Sequence, residues 1–178
     1  MRSGERMRQL LDDLLDYNRT SLGIGIRVTP EPVDLATVCR EEIDWLRTAL
    51  PASTIEFAIE GATQGSWDAS RIKQVVSNLV INAARYSDPG GIVRVSLRGD
   101  DVQVHLSVEN TGPSIPKGLL NSLFDPLRRH AGANPPGESE CLGLGLFIVR
   151  QVALAHGGSV SVESADGRTR FTVTLPKR

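Results

Sequence analysis

Two asparagines four residues apart, Asn78 and Asn82, carry the most suggestive chemistry in this sequence. They lie in QVVSNLVINAARYS, Gln74 to Ser87, where Val75, Leu79 and Ala83 recur at helical spacing. That spacing puts both amides on one face of a helix, beside an apolar stripe. A buried amide without partners costs roughly 1–3 kcal/mol. The pair is therefore either capped or solvated, or it offers oxygen ligands to a hard cation, with Arg85 and Tyr86 one turn on to meet a nucleotide. Asn110-Thr111-Gly112 closes a strand-like run, and Gly143-Leu144-Gly145 opens a helix-like one. Glycines there let backbone amides approach an anion, and a helix N-terminus adds roughly half a positive charge. The second glycine stretch follows a long loop and not a strand, so neither the dinucleotide fingerprint nor the Walker A pattern fits. Taken alone, it is as readily a plain glycine-rich helix start.

The elements that position these residues follow from periodicity. Ser3 to Asn18, with Met7, Leu10, Leu11, Leu14 and Leu15 on one side, predicts an amphipathic helix. Its narrow apolar seam suits a partner helix, and an ordinary surface helix of the same domain is the alternative. Ile24 to Thr29 alternates as a short edge strand, which Pro30 and Pro32 break. Asp34 caps a helix running to about Leu50, in which Glu41 and Glu42 are expected to face solvent. Thr54 to Ile59 is a strand, Trp67 a second short one, and Asp68 caps the helix that holds the asparagines. Ile92 to Leu97 and Val102 to Val108 form a hairpin, and Ser159 to Ser164 with Thr169 to Leu175 forms another across Asp166-Gly167. Between them, Leu144 to His156 reads as a helix ended by Gly157-Gly158. Helices on one side of a mostly antiparallel sheet predict an α+β class, a two-layer sandwich.

Composition narrows the function classes. Of 178 residues, 40% are hydrophobic and 23% charged, with a formal net charge of -1, so no broad attraction to nucleic acid or acidic membranes is advertised. Aromatics at 4% argue against a single-strand stacking surface. Cys39 and Cys141 lack metal-ligand spacing, and so few cysteines point to a reducing, cytoplasmic setting. No apolar run approaches the roughly 18 residues of a membrane span.

Together, NLVINAARYS, ENTGPSIP, LFDPLRR and GLGLGLFIVRQVALAHGG resemble, in order, the N box, first glycine box, F box and second glycine box of sensor histidine kinase ATP-binding domains. That wider family includes gyrase, Hsp90 and the mismatch-repair ATPases. The resemblance runs from Pro32 to Pro176 and implies the Bergerat-type α/β sandwich, with residues 1–22 a remnant of a dimerisation helix and 23–178 the catalytic domain. It implies Mg²⁺ on Asn82, with Asn78 near the same metal and phosphates. Arg85 would reach the phosphates and Tyr86 would pack by the adenosine. Gly143, Leu144, Gly145 and Leu146 would cradle the phosphates. Gly112 would let the backbone approach the base, with Ile115 and Phe124 also at the nucleotide. The loop from Phe124 to Leu142 would be a lid offering Arg128 and Arg129.

Three features depart from the family pattern or refine it. Asn110 stands where the first glycine box usually has an Asp, yet its carboxamide can accept from adenine N6 while donating to a ring nitrogen. Ser114 replaces another glycine of that box and is expected to stiffen the start of the lid. Asn78 stands where the family's ATP hydrolases have a water-activating Glu, and an amide cannot be a general base. That favours phosphoryl transfer onto a protein side chain. No acceptor motif like SHELRTPL is present. His105 reads as an exposed or satisfied strand residue, His130 as a lid residue facing phosphate or solvent, and His156 as a structural cap at a helix C-terminus, where a cation is also favoured. The resemblance therefore implies an acceptor helix outside this chain, a homodimer in the longer protein, and a response regulator as partner. An anti-sigma-type serine kinase and a degenerate nucleotide-binding scaffold are the alternatives.

Overall fold

The computed structural model describes residues 2–127 and 143–177. Its sheet follows from alternation. Val93, Val95 and Leu97 of β4 (Ile92–Gly99) are buried on one face, as are Val104, Leu106 and Val108 of β5 (Gln103–Thr111). Phe171, Val173 and Leu175 of β7 (Arg168–Pro176) join them. With β2 (Thr54–Gly61) and β6 (Ser159–Ala165) the strand order is β2-β4-β5-β7-β6. Among the described residues only β2 and β4 pair in parallel. Their connection runs through α3 (Ala69–Tyr86), since a parallel pair needs a crossover and cannot be joined by a tight turn.

The helices α2 (Leu35–Ala49), α3 and α5 (Gly145–Ala155) contribute the other half of the core. Leu35, Ile43 and Leu46 come from α2, Ile72, Val75, Leu79 and Ala83 from α3, and Phe147, Ile148 and Val152 from α5. The α3 helix touches α2, α5 and β5, so the asparagine-bearing helix is the central one. This is the expected two-layer α/β sandwich. A single-turn α4 (Lys117–Leu120) follows β5.

Two expectations need correction. Ile24 to Thr29 is not a strand; the strand is β1 (Glu31–Asp34), paired antiparallel with β3 (Gln64–Trp67). Pro32 sits inside it opposite Ser66, tolerated because both members of a two-stranded ribbon are edges. Glu41 is exposed and pairs with Lys73 at 2.8 Å, but Glu42 is half-buried and accepts the Ser77 hydroxyl. His156 takes the structural capping role read from its place in the sequence, at the C-terminus of α5. It is buried, its Nε2 accepts the Asp68 N–H at 3.1 Å, and its Nδ1 lies 2.9 Å from the Val152 carbonyl. An accepting Nε2 carries no proton, so the ring is neutral and joins the end of α5 to the start of α3.

The α1 helix (Arg2–Ser21) turns its polar side inward. Asp13 and Asp16 are buried, while Met7, Leu11, Leu14 and Leu15 are exposed. Arg71 on α3 grips the Asp16 carboxylate with both terminal nitrogens, at 2.5 and 3.1 Å. Gln74 donates to Asp13 at 3.1 Å, and Tyr17 meets Phe147 edge-on at 5.8 Å. No helix among the described residues is long and apolar enough to cross a membrane.

Candidate functional site

Asp68 starts the helix that carries the amides. Its Oδ1 accepts the backbone N–H of Ser70 and Arg71 at 3.1 and 3.2 Å, and its Oδ2 accepts that of Thr29 at 2.9 Å. Burial pushes the carboxyl pKa up, but the bonds from Ser70, Thr29 and Arg71 outweigh it and hold the group below its ordinary value. Asp34 starts α2 in the same way, held below its ordinary value first by the Thr63 hydroxyl at 2.5 Å, against opposing burial.

Further along α3, the Nδ2 of Asn78 is buried with no protein partner. A β-carbon on Gly145 would lie 3.4 Å from Asn78 Oδ1, so this amide faces the start of α5 directly. There Gly143 is left-handed, at φ +69°, and Leu144 occupies the N-cap without a side-chain capping bond. The first-turn N–H groups of α5 therefore receive no side-chain acceptor from their own cap. Asn82, half-buried, follows Asn78 by one turn on the same face. Arg85 is half-buried near the end of the helix, and Tyr86 is 38% exposed.

A second junction forms at the end of β5. Asn110 is buried, and its Nδ2 donates to the carbonyls of Tyr86 and Thr111, each at 3.3 Å. The amide nitrogen is thus engaged by the protein, which refines the expectation that it donates to a base; Oδ1 is the end suited to accept. Gly112 is required here, since a β-carbon would stand 2.2 Å from the Tyr86 carbonyl oxygen. Ile115 is half-buried, and Phe124 packs in the core edge-on to Phe171 at 6.1 Å. Leu144 is buried and Leu146 packs against the core, so only their backbones are available at the loop. Arg128, Arg129, His130, Cys141 and Leu142 lie outside the described residues.

Several polar groups are structural. His105 Nδ1 lies 3.0 Å from the Thr174 hydroxyl. Burial pushes the Cys39 thiol up to about 12, leaving it inert. Ser87 is the C-cap residue of α3, and its hydroxyl is buried without a partner. Alternation did not reveal that the β6–β7 turn lies against Gly112 to Ile115, because the strand order brings these segments together.

The site fits a nucleotide polyphosphate: an orphaned buried amide nitrogen faces an uncapped helix start, and Gly112 stands where a β-carbon would crowd. Among the described residues no group of three or more His, Cys, Asp and Glu could hold a metal ion. A metal here would rely on amide oxygens and on a ligand's own phosphates.

Comparison with known proteins identifies the family. Residues 67–178 match the family described as histidine kinase-, DNA gyrase B-, and HSP90-like ATPase. The chain is 34% identical over 176 residues to the bacteriophytochrome of Pseudomonas aeruginosa, covering 99% of this chain and 24% of that protein. It thus spans about a quarter of that curated relative's length. The mycobacterial sensor histidine kinase MprB superposes with a TM-score of 0.72 at 33% identity, over 83% of this chain and 99% of that one. Full-length ShkA in complex with AMPPNP superposes with a TM-score of 0.79 at 26% identity, over 99% of this chain and 37% of that one. The chain belongs to the histidine kinase-, DNA gyrase B- and HSP90-like ATPase family, as a sensor histidine kinase ATP-binding domain.

Proposed function

We propose that this chain transfers the γ-phosphoryl group of Mg-ATP to a histidine outside itself, for onward transfer to a response regulator. The observation that carries this reading is Asn78, a half-buried residue whose buried amide nitrogen has no protein partner, set against Gly145 at the phosphate-facing end of α5. Its nitrogen needs an acceptor, which a phosphate oxygen supplies, and it has no carboxylate with which to activate water. The chain's part in catalysis is then positioning. The uncapped N–H groups at Gly145 and Leu146 hold phosphate oxygens, Arg85 reaches them from α3, and Asn110 Oδ1 accepts the adenine amino group. Asn82 presents its amide oxygen to Mg²⁺, whose contribution when bound is to neutralise phosphate charge. A nucleotide analogue in the ShkA structure supports the ATP assignment by similarity. The exposed Met7, Leu11, Leu14 and Leu15 stripe supports packing of α1 on an acceptor-bearing dimerisation helix, within a homodimer. On this reading the domain works in the cytoplasm.

Titration of the chain with ATP, with and without Mg²⁺, tests the site. We expect saturable binding that weakens at least tenfold without Mg²⁺. Failure to bind ATP under either condition would overturn the reading and favour a scaffold role.

A further inference from the structure

Ser114 and Ser164 lie on separate segments that the fold brings to one place. Beyond the last paired residue of β5, the chain from Gly112 to Ile115 stays attached to the β6–β7 hairpin. The Gly112 N–H donates to the Gly167 carbonyl at 2.9 Å, and the Gly167 N–H donates to Ser114 Oγ at 3.1 Å. The Ile115 N–H donates to Ser164 Oγ at 2.8 Å, and that oxygen lies 2.8 Å from Thr169 Oγ1. The hairpin tip is itself tightly defined, with Asp166 at φ +51° and Gly167 at φ +69°, and the register sets Thr169 opposite Asn110.

We propose that Ser164 and Ser114 are positioning residues that clasp the adenine-facing loop to the β6–β7 turn, fixing Asn110 and Gly112 before the nucleotide arrives. This rests on the ATP-binding reading above. Three contacts over four residues leave the loop little freedom, so binding need not spend affinity on ordering it. The clasp also gives the serine at position 114 a task that a glycine could not perform. Its hydroxyl satisfies the N–H of Gly167 at the point where the turn would otherwise leave that donor to solvent. Both serines act through the loop's backbone, so their influence falls on the base.

The test is nucleotide affinity of the chain and of its Ser164→Ala, Ser114→Gly and double variants, measured with Mg-ATP and with Mg-GTP. Each single variant should weaken ATP roughly threefold to tenfold, the range of one hydrogen bond. The double variant should lose more, while GTP affinity stays within about twofold and ATP selectivity narrows. Amide hydrogen exchange at Ile115 should quicken in Ser164→Ala with the melting temperature nearly unchanged. Unchanged ATP affinity in the double variant, or equal losses for ATP and GTP, would overturn the clasp while leaving the ATP reading intact. Absence of ATP binding by the parent chain would instead bring down the ATP reading itself.

Discussion

On the proposed reading, Asn82 serves the metal and Asn110 the base. Asn82→Ala should abolish Mg²⁺-dependent phosphotransfer while shifting the melting temperature by no more than a few degrees, since the side chain is half-buried and its helix is held by Val75, Leu79 and Ala83. Unchanged transfer would remove the metal assignment. Asn110→Asp separates stability from binding. An aspartate has no N–H for the carbonyls of Tyr86 and Thr111, so the nucleotide-free chain should lose about 1–2 kcal/mol. ATP affinity should equal or exceed the parent's, because a charged acceptor bonds the adenine amino group more strongly. Calorimetry and thermal melts on one sample check both signs, and complete loss of ATP binding would mean the adenine contact lies elsewhere. At this scale the sequence was informative about identity and poor about state. The spacing of Asn78 and Asn82 announced a shared helix face, but the orphaned Asn78 nitrogen and the engaged Asn110 nitrogen depend on neighbours from other elements.

At the scale of elements, helix starts are fastened by carboxylates and by one neutral imidazole. Asp34 and Asp68 both sit below their ordinary pKa of 3.8 in the folded chain. Their stabilisation is fully present above that unfolded value and is lost as pH falls through the lower folded value. Unfolding free energy should therefore decline below about pH 4, and Asp68→Asn should flatten that decline. A denaturation series across pH reads it, and an unchanged slope in the variant would contradict the capping account. His156→Ala leaves the Asp68 N–H without its acceptor and opens a cavity, and should cost roughly 2–4 kcal/mol. Helix and strand spans were legible because their apolar periods are clean. The strand through Pro32 was not, since its pairing with β3 overrides the proline's usual meaning. The inward acids of α1 were also hidden: leucines at helical spacing mark an apolar side, but only Arg71 and Gln74 decide that the other side docks. Arg71→Ala should release α1, seen as faster proteolysis within it, because Asp16 is buried and would lose its counter-charge.

Over the whole molecule, one face of the sheet is spent on the helical layer and the other stays polar. Glu56 and Arg94 pair at 3.3 Å and Glu109 and Arg170 at 2.5 Å across neighbouring strands, and Glu60 pairs with Arg98 at 2.9 Å. The exposed Glu56–Arg94 and Glu60–Arg98 pairs contribute little stability each, whereas Glu109 is buried. The site gathers at one end, from the end of α3, the end of β5 and the start of α5, and α1 leaves a leucine stripe toward solvent. His105 and His156 are both held by protein partners, which suits neither to accept a phosphoryl group. On the proposed reading the domain acts in trans. The most direct measurement mixes it with Mg-ATP and a separately made dimerisation fragment bearing the acceptor histidine. Acid-labile phosphate appearing on that fragment, and disappearing with Asn82→Ala, is the predicted result; rapid ATP hydrolysis with no phosphate on the fragment would contradict it.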